Sequence, residues 1–334
     1  MKKTGAVQKI QRLIYAVMGL TVLGEWWHLM SLVSKGNNNI VEVTPITPAK
    51  NEPNTLKKKE LLINPNANPL VLFDVPSHVE EPTRELIADP DAKLQQEILT
   101  RRLVYLTFGE NCCAKAKVRA CSAFHGVHET AGLQPAALTC MACSSSDIDQ
   151  AFKDANAQIF ANHRGYAYFL WKPYLINKTL HSMQEGDYLI YMDAGAYLVS
   201  PIHPLLVLLE RKKYEVLTFG VGLSQGDFCK RDAFVRQKCD TPACHDAMQV
   251  NAAFSIWKRG AAALALAESW LRDSADYHTI SDDANVEGLP DLPGFKSHRH
   301  DQATITNVLT RDHYARDTTN GPALFMIVHD RDIS

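Results

Sequence analysis

Apolar and polar positions along this chain change period from segment to segment, and the changes predict the elements. The longest apolar stretch is "LIYAVMGLTVLGEWWHLMSLV", residues 13–33. It is about the length a helix needs to cross a bilayer. No period persists from 34 to 100, where prolines recur at Pro45, Pro48, Pro53, Pro65, Pro69, Pro76, Pro82 and Pro90. Such a segment buries too little apolar surface to offset its chain entropy and reads as an extended stem. A short helix near "DAKLQQEILTRR" leads into the folded part. "RLVYLTFG" (102–109) is a compact apolar run and predicts a strand. "AKAKVRACSAF" (114–124) follows at helical period, with Gly126 as its stop, and "AALTCMAC" (136–143) predicts a second strand. Ser145, Ser146 and Asp147 offer caps for a helix over "DIDQAFKDANAQIFANH", whose Ile148, Phe152 and Ile159 share a face. Strand alternating with helix predicts an α/β sheet.

The densest information lies in "RGYAYFLWKPYLINKTLHSMQEGDYLIYMDAGA". Pro173 suits a helix start, Ile176, Leu180 and Met183 form a stripe, and Gly186 suits the stop. Tyr188–Met192 lacks polar alternation, so it should be buried on both faces, as central strands of parallel sheets are. Asp193 then sits at the carboxyl end of a central strand, where open α/β sheets bind ligands. Gly195 has no side chain to keep a diphosphate from the backbone. Further on, "AMQVNAAFSIWKRG" (247–260) reads as strand and turn before a helix over 261–271. Residues 225–246 read as helix and loop, and "ALFMIVHD" (323–330) as a late strand. "SHRHDQATITNVL" (297–309) predicts a helix on Ile305, Val308 and Leu309. Asp301 stands just before it, where Asp is a preferred N-cap.

Composition narrows the class. The chain has 334 residues, 46% hydrophobic and 22% charged, which is globular rather than disordered. A net charge of −2, with no basic block in the body of the chain, argues against nucleic acid as a partner. Lys2, Lys3, Lys9 and Arg12 before the apolar stretch predict a cytoplasmic N-terminus, and Trp26 and Trp27 suit an interfacial belt. Glu25 opposes insertion by roughly 2–3 kcal/mol, and residues 13–24 alone are as long as a signal-peptide core. No small-x-small cleavage site follows, so an uncleaved signal anchor is the reading, with a buried soluble helix as the alternative. The organisation expected is a tail at 1–12, an anchor at 13–33, a stem at 34–100 and a catalytic domain at 101–334. Eight cysteines between Cys112 and Cys244 fit an oxidising, lumenal compartment. Structural disulfides are favoured, with Cys239 and Cys244 close enough to pair, over a zinc site at Cys140 and Cys143. Asn177-Lys-Thr is a glycosylation sequon inside a predicted helix. No phosphate-binding loop, H-E-x-x-H or G-x-S-x-G motif is present.

The run R-G-Y…W-K-P-Y-L-I…L…G-D-Y-L-I-Y-M-D-A-G resembles a family of GT-A-fold glycosyltransferases, whose members carry a W-K-P helix and then a hydrophobic strand ending in D-x-G or D-x-D. The likeness runs from 106–109 to about 300–309, and residues 162–196 carry most of its specificity. It implies a GT-A-like α/β fold, a mixed and mostly parallel sheet flanked by helices. The implied activity moves a sugar from a nucleotide-sugar donor to a glycan or glycoconjugate acceptor, in the Golgi or another secretory membrane. By the same resemblance, Asp193 and Gly195 face the donor, and Asp193 holds Mn²⁺ or Mg²⁺. Gly195 replaces the second acid of D-x-D, so either another residue completes the metal site or cations stand in for it. Lys172 and Arg164 belong at the phosphates and Arg119 near the nucleotide. Asp301, as an alternative to capping, would take the proton of the acceptor hydroxyl. His300 and Gln302 would meet donor sugar or acceptor. Asn251 is either a sugar contact or a buried capping amide. His298 with His300, and His329, are further metal candidates. The competing reading is a catalytically silent GT-A-like domain that binds glycans or proteins.

Overall fold

The computed structural model describes residues 92–110, 113–132, 137–315 and 326–328. The expected anchor, most of the stem, Cys112 and His329 lie outside them. Among the described residues no helix is long and apolar enough to cross a membrane.

The chain enters through α1 (Ala92–Leu99), then β1 (Leu103–Phe108), α2 (Ala114–Thr130), β2 (Leu138–Cys143), α3 (Trp171–Ser182) and β3 (Tyr188–Met192). β4 (Ala196–Leu198), α4 (His203–Arg211), β5 (Val216–Leu217), β6 (Gly220–Ser224), β7 (Met248–Val250) and β8 (Phe254–Lys258) follow. The last elements are α5 (Ala261–Ser274), α6 (His300–Arg311) and β9 (Met326–Val328). The main sheet has the order β2-β1-β3-β8-β5. β1 pairs parallel with both β2 and β3, whereas β8 runs antiparallel to β3 and β5. Four strands therefore share one direction and β8 opposes them. The sheet is mixed, and the fully apolar β3 is its middle strand.

Side chains on a strand alternate between faces, and here both faces are covered. One takes Leu103, Tyr105, Ile190 and Met192 against Phe124 of α2 and Leu205, Leu208 and Leu209 of α4. The other takes Val104, Leu106, Leu189 and Tyr191 against Trp171 and Ile176 of α3 and Trp270 of α5. Each such apolar side chain gains roughly 1.5–3 kcal/mol on burial. This double cover is why β1 and β3 show no polar alternation. Ile98 of α1 also packs into the first cluster, so the predicted lead-in helix is part of the packed core.

Several boundaries differ from expectation. α2 continues through Gly126 to Thr130, and Gly126 does not take the positive φ with which a glycine ends a helix. The helix expected over 147–163 is broken into Gln150–Ala155 and Ala157–Phe160 at Asn156, whose side chain donates to the Phe152 carbonyl at 2.9 Å. Asn competes with the helical ladder in this way. α3 stops at Ser182, and Gly186 lies beyond it in the turn to β3 with φ +87°. Disulfides join Cys121 to Cys140 and Cys239 to Cys244. The first ties α2 to β2 and removes Cys140 from any zinc site with Cys143. The second closes the expected short turn.

Candidate active site

The approach to α3 is unusual. Gly165, Tyr166, Ala167, Tyr168 and Phe169 have φ of +57°, +49°, +65°, +49° and +66°, one continuous left-handed stretch. Left-handed backbone costs an L-residue roughly 1–2 kcal/mol, so four non-glycine residues must be held by their surroundings. Trp171 Nε1 donates to the Gly165 carbonyl at 2.9 Å, and its ring stacks on Phe108 at 4.0 Å. Tyr168 stacks on His300 at 4.9 Å. A Cβ at Gly165 would lie 2.3 Å from the Phe169 ring, so only glycine fits there. Strain of this kind concentrates at functional sites. Its effect here is to turn the first residues of α3, Lys172 among them, inward under the carboxyl end of β3.

Lys172 is 2% exposed. Its Nζ lies 2.7 Å from Asp301 Oδ2, 3.1 Å from the Ala252 carbonyl oxygen and 3.3 Å from Asp193 Oδ1. An ammonium has three N–H donors; one goes to the Ala252 carbonyl, and both carboxylates lie at ion-pair distance. The rings of Tyr191, Phe169 and Trp171 surround the same nitrogen at 5.2, 5.4 and 5.7 Å, within cation–π range. The Tyr191 hydroxyl donates to Asp193 Oδ1 as well. Asp193 Oδ1 thus carries two internal contacts, and among the described residues none donates to Oδ2. The Asp193 side chain is 40% exposed and that of Asp301 6%. Two carboxylates share one cation, and one of them opens outward.

Electrostatics follow from burial and pairing. Burial alone would push the Lys172 ammonium down, but Asp193 and then Asp301 outweigh it and hold it above the ordinary lysine value. Burial pushes Asp301 up, against the pull of Lys172. Burial, reinforced by the Asp193 charge, keeps Tyr191 far above its usual value, so its hydroxyl remains a donor.

The other predicted residues divide. Gly195 follows Asp193 in the turn to β4 and does not have positive φ. Asn251 is 6% exposed and its Oδ1 accepts from the Ala253 amide at 2.8 Å, a local turn that presents the Ala252 carbonyl to Lys172. It takes the capping arrangement, not an outward one. Gln302 donates to Gln249 Oε1 at 2.7 Å, and Gln249 donates to Gln225 Oε1 at 2.8 Å. Gln225 continues to Asn307 Oδ1 at 2.7 Å, so these amides form a buried chain that fixes α6. Asp301 lies within the first turn of α6 and not at its N-cap, which is Arg299, and its carboxyl also takes the Gln302 backbone N–H. His300 is 2% exposed with φ +40°, and its Nδ1 donates to the Ile280 carbonyl at 2.9 Å. His298 donates to the Thr279 carbonyl and accepts from the Lys230 amide. Burial holds both imidazoles below the usual range. Both nitrogens of His298 are used within the fold, which leaves it no lone pair for a metal beside His300. Arg164 is exposed and lies 3.4 Å from Asp282, on the His300 side of the cluster. Arg119 is exposed on α2, beside Tyr197 of β4.

A divalent ion does not fit this arrangement. Asp193 offers one open oxygen, Gly195 offers none, and Asp301 is buried against Lys172. Among the described residues no group of three or more His, Cys, Asp or Glu side chains is gathered for a metal.

Tyr191 was missed as a site residue although the sequence carried a signal. It stands two residues before Asp193, and residues i and i+2 of a strand share a face. The Ala252 carbonyl had no signal, because any residue supplies one.

No family model matches the sequence, and no curated protein does. Among solved structures, the chain resembles mouse xyloside xylosyltransferase 1 in its apo form. The match has a TM-score of 0.34 and 12% identity, over 65% of this chain and 84% of that one.

Proposed function

We propose that this chain is a glycosyltransferase that takes a sugar from a nucleotide-sugar donor and passes it to a hydroxyl of a glycan or glycoconjugate. One observation carries the reading. The W-K-P helix, the D-A-G strand end and the H-D-Q helix are far apart in the sequence, yet Lys172, Asp193 and Asp301 meet within 3.3 Å at the carboxyl end of the central strand. Open α/β sheets bind ligands at that end. In this reading Asp193 accepts hydrogen bonds from the donor sugar through Oδ2, while Lys172, Tyr191 and Asp301 hold it in place. Asp301 is too enclosed to meet an acceptor hydroxyl, which makes it a positioning residue rather than the base.

The burial of Asp301 also favours a second reading, a silent domain that binds sugars without transferring them. Hydrolysis of a nucleotide-sugar panel by the full-length chain separates the two. Turnover of one donor, reduced about a hundredfold or more in Asp193→Ala, is the expected result. A folded protein that binds glycans but consumes no donor would establish the silent domain instead.

A further inference from the structure

We propose that Lys172 is the resident cation of this site, standing between Asp193 and Asp301 where a divalent ion would otherwise bridge them, so that a donor binds without a metal. The part concerning the donor rests on the glycosyltransferase reading above; the part concerning the cation does not.

The coordination of the ammonium supports this assignment. It has two carboxylate oxygens and one carbonyl oxygen at 2.7–3.3 Å and three aromatic rings at 5.2–5.7 Å. These are hard oxygen ligands of the kind a divalent ion takes, here already filled by the chain itself. A bridging ion would have to displace an ammonium fixed at the start of α3 and enclosed by Trp171, Phe169 and Tyr191. An ion outside the bridge would have only Asp193 Oδ2, on a carboxylate whose charge Lys172 already offsets at 3.3 Å. A metal held by the donor's own phosphates would meet two carboxylates already offset in part by an ammonium instead of two free acids. Gly195 follows naturally, since a second acid there would lack a cation to hold. Lys172 is enclosed between the two carboxylates and the Ala252 carbonyl, so the lysine is not placed to meet a phosphate. The charge of a diphosphate is then left to exposed cations such as Arg119.

Mn²⁺ titration of the full-length protein, followed by electron paramagnetic resonance, tests the assignment without any substrate. The wild type is expected to bind no Mn²⁺ that Asp193→Asn abolishes. In Lys172→Ala, which frees both carboxylates, added Mn²⁺ is expected to bind and to raise the melting temperature. Should that variant fail to fold, the wild-type titration decides alone. In the donor assay, chelation is expected to leave wild-type turnover within about twofold. Stoichiometric Mn²⁺ binding lost in Asp193→Asn would overturn the inference, as would turnover abolished by chelation and restored by Mn²⁺. Neither outcome harms the glycosyltransferase reading. Conversely, a folded wild type that consumes no donor under either condition removes that reading and leaves the titration to judge the cation.

Discussion

Two clusters in this protein share the same ingredients, one cation and two carboxylates, in different surroundings. Lys172 joins Asp193 and Asp301 beneath the end of the sheet, with the lysine side chain 3% exposed. Arg236 joins Asp276 and Glu287, both at 2.5 Å, with the three side chains 31–34% exposed. Arg236 reaches Asp276 through two nitrogens, the bidentate geometry that suits guanidinium and carboxylate. At the Arg236 cluster water screens the charges. Burial raises the Asp276 carboxyl, but its hydrogen bonds from Arg236 and Thr279 prevail and hold it below the usual range. At the Lys172 cluster burial prevails for the acid, and Asp301 is pushed up. The same pairing therefore leaves one carboxyl below its usual range near the surface and the other above it in the interior.

The comparison is broken or sharpened by substitution. Lys172→Met should have the largest effect, because removing one partner of a buried ion pair costs about 3–5 kcal/mol. Urea denaturation measures it, and a loss under about 1 kcal/mol would mean that the cluster is effectively solvated. The pH dependence gives the sign. Lys172 is held above its ordinary value of 10.5, so its contribution is fully present below pH 10.5 and disappears as pH rises through the folded value. The Lys172→Met penalty should shrink only in strong alkali.

Tyr191→Phe comes next. It removes a donor to a charged group without changing the fold of β3, a loss of about 1–2 kcal/mol. Donor turnover should fall by about tenfold, in step with the freed Asp193 carboxylate. Unchanged turnover would show that Lys172 alone orients Asp193.

Arg236→Met should have the smallest effect, about 0–1 kcal/mol in the same denaturation assay. Its pH dependence should run the other way. Asp276 is depressed below 3.8, so its contribution is present above that pH and is lost as pH falls through the folded value. Wild type and Arg236→Met should converge in acid; persistent separation there would place the loss in packing of the arginine stem.

The sequence by itself determined the sheet and the address of the site. The apolar runs at 103–108, interrupted only by Thr107, and 188–192 read as strands covered on both faces, and such strands direct ligands to their carboxyl ends, which here means Asp193. Tyr191 was legible by the same period of two. The helix starting at W-K-P and the Cys239–Cys244 closure were legible because both depend on neighbours a few residues away. The Cys121–Cys140 pairing was not, since only the packing of α2 on β2 brings those sulfurs together.

Tertiary structure alone decided what the charged residues do. Lys172 and Arg164 read alike in the sequence, as cations near one motif. The left-handed run at 165–169 turns one under the sheet and leaves the other at the surface. G-Y-A-Y-F carries no local preference for that backbone; packing of Phe108, Trp171 and His300 imposes it. Asp301 has the local chemistry of a helix cap, yet the approach of α6 to α3 buries it against an ammonium 129 positions earlier in the chain. Periodicity records which face of an element is dry. Which charges face one another across that dry space depends on how distant elements close on it, and that is a property of the fold.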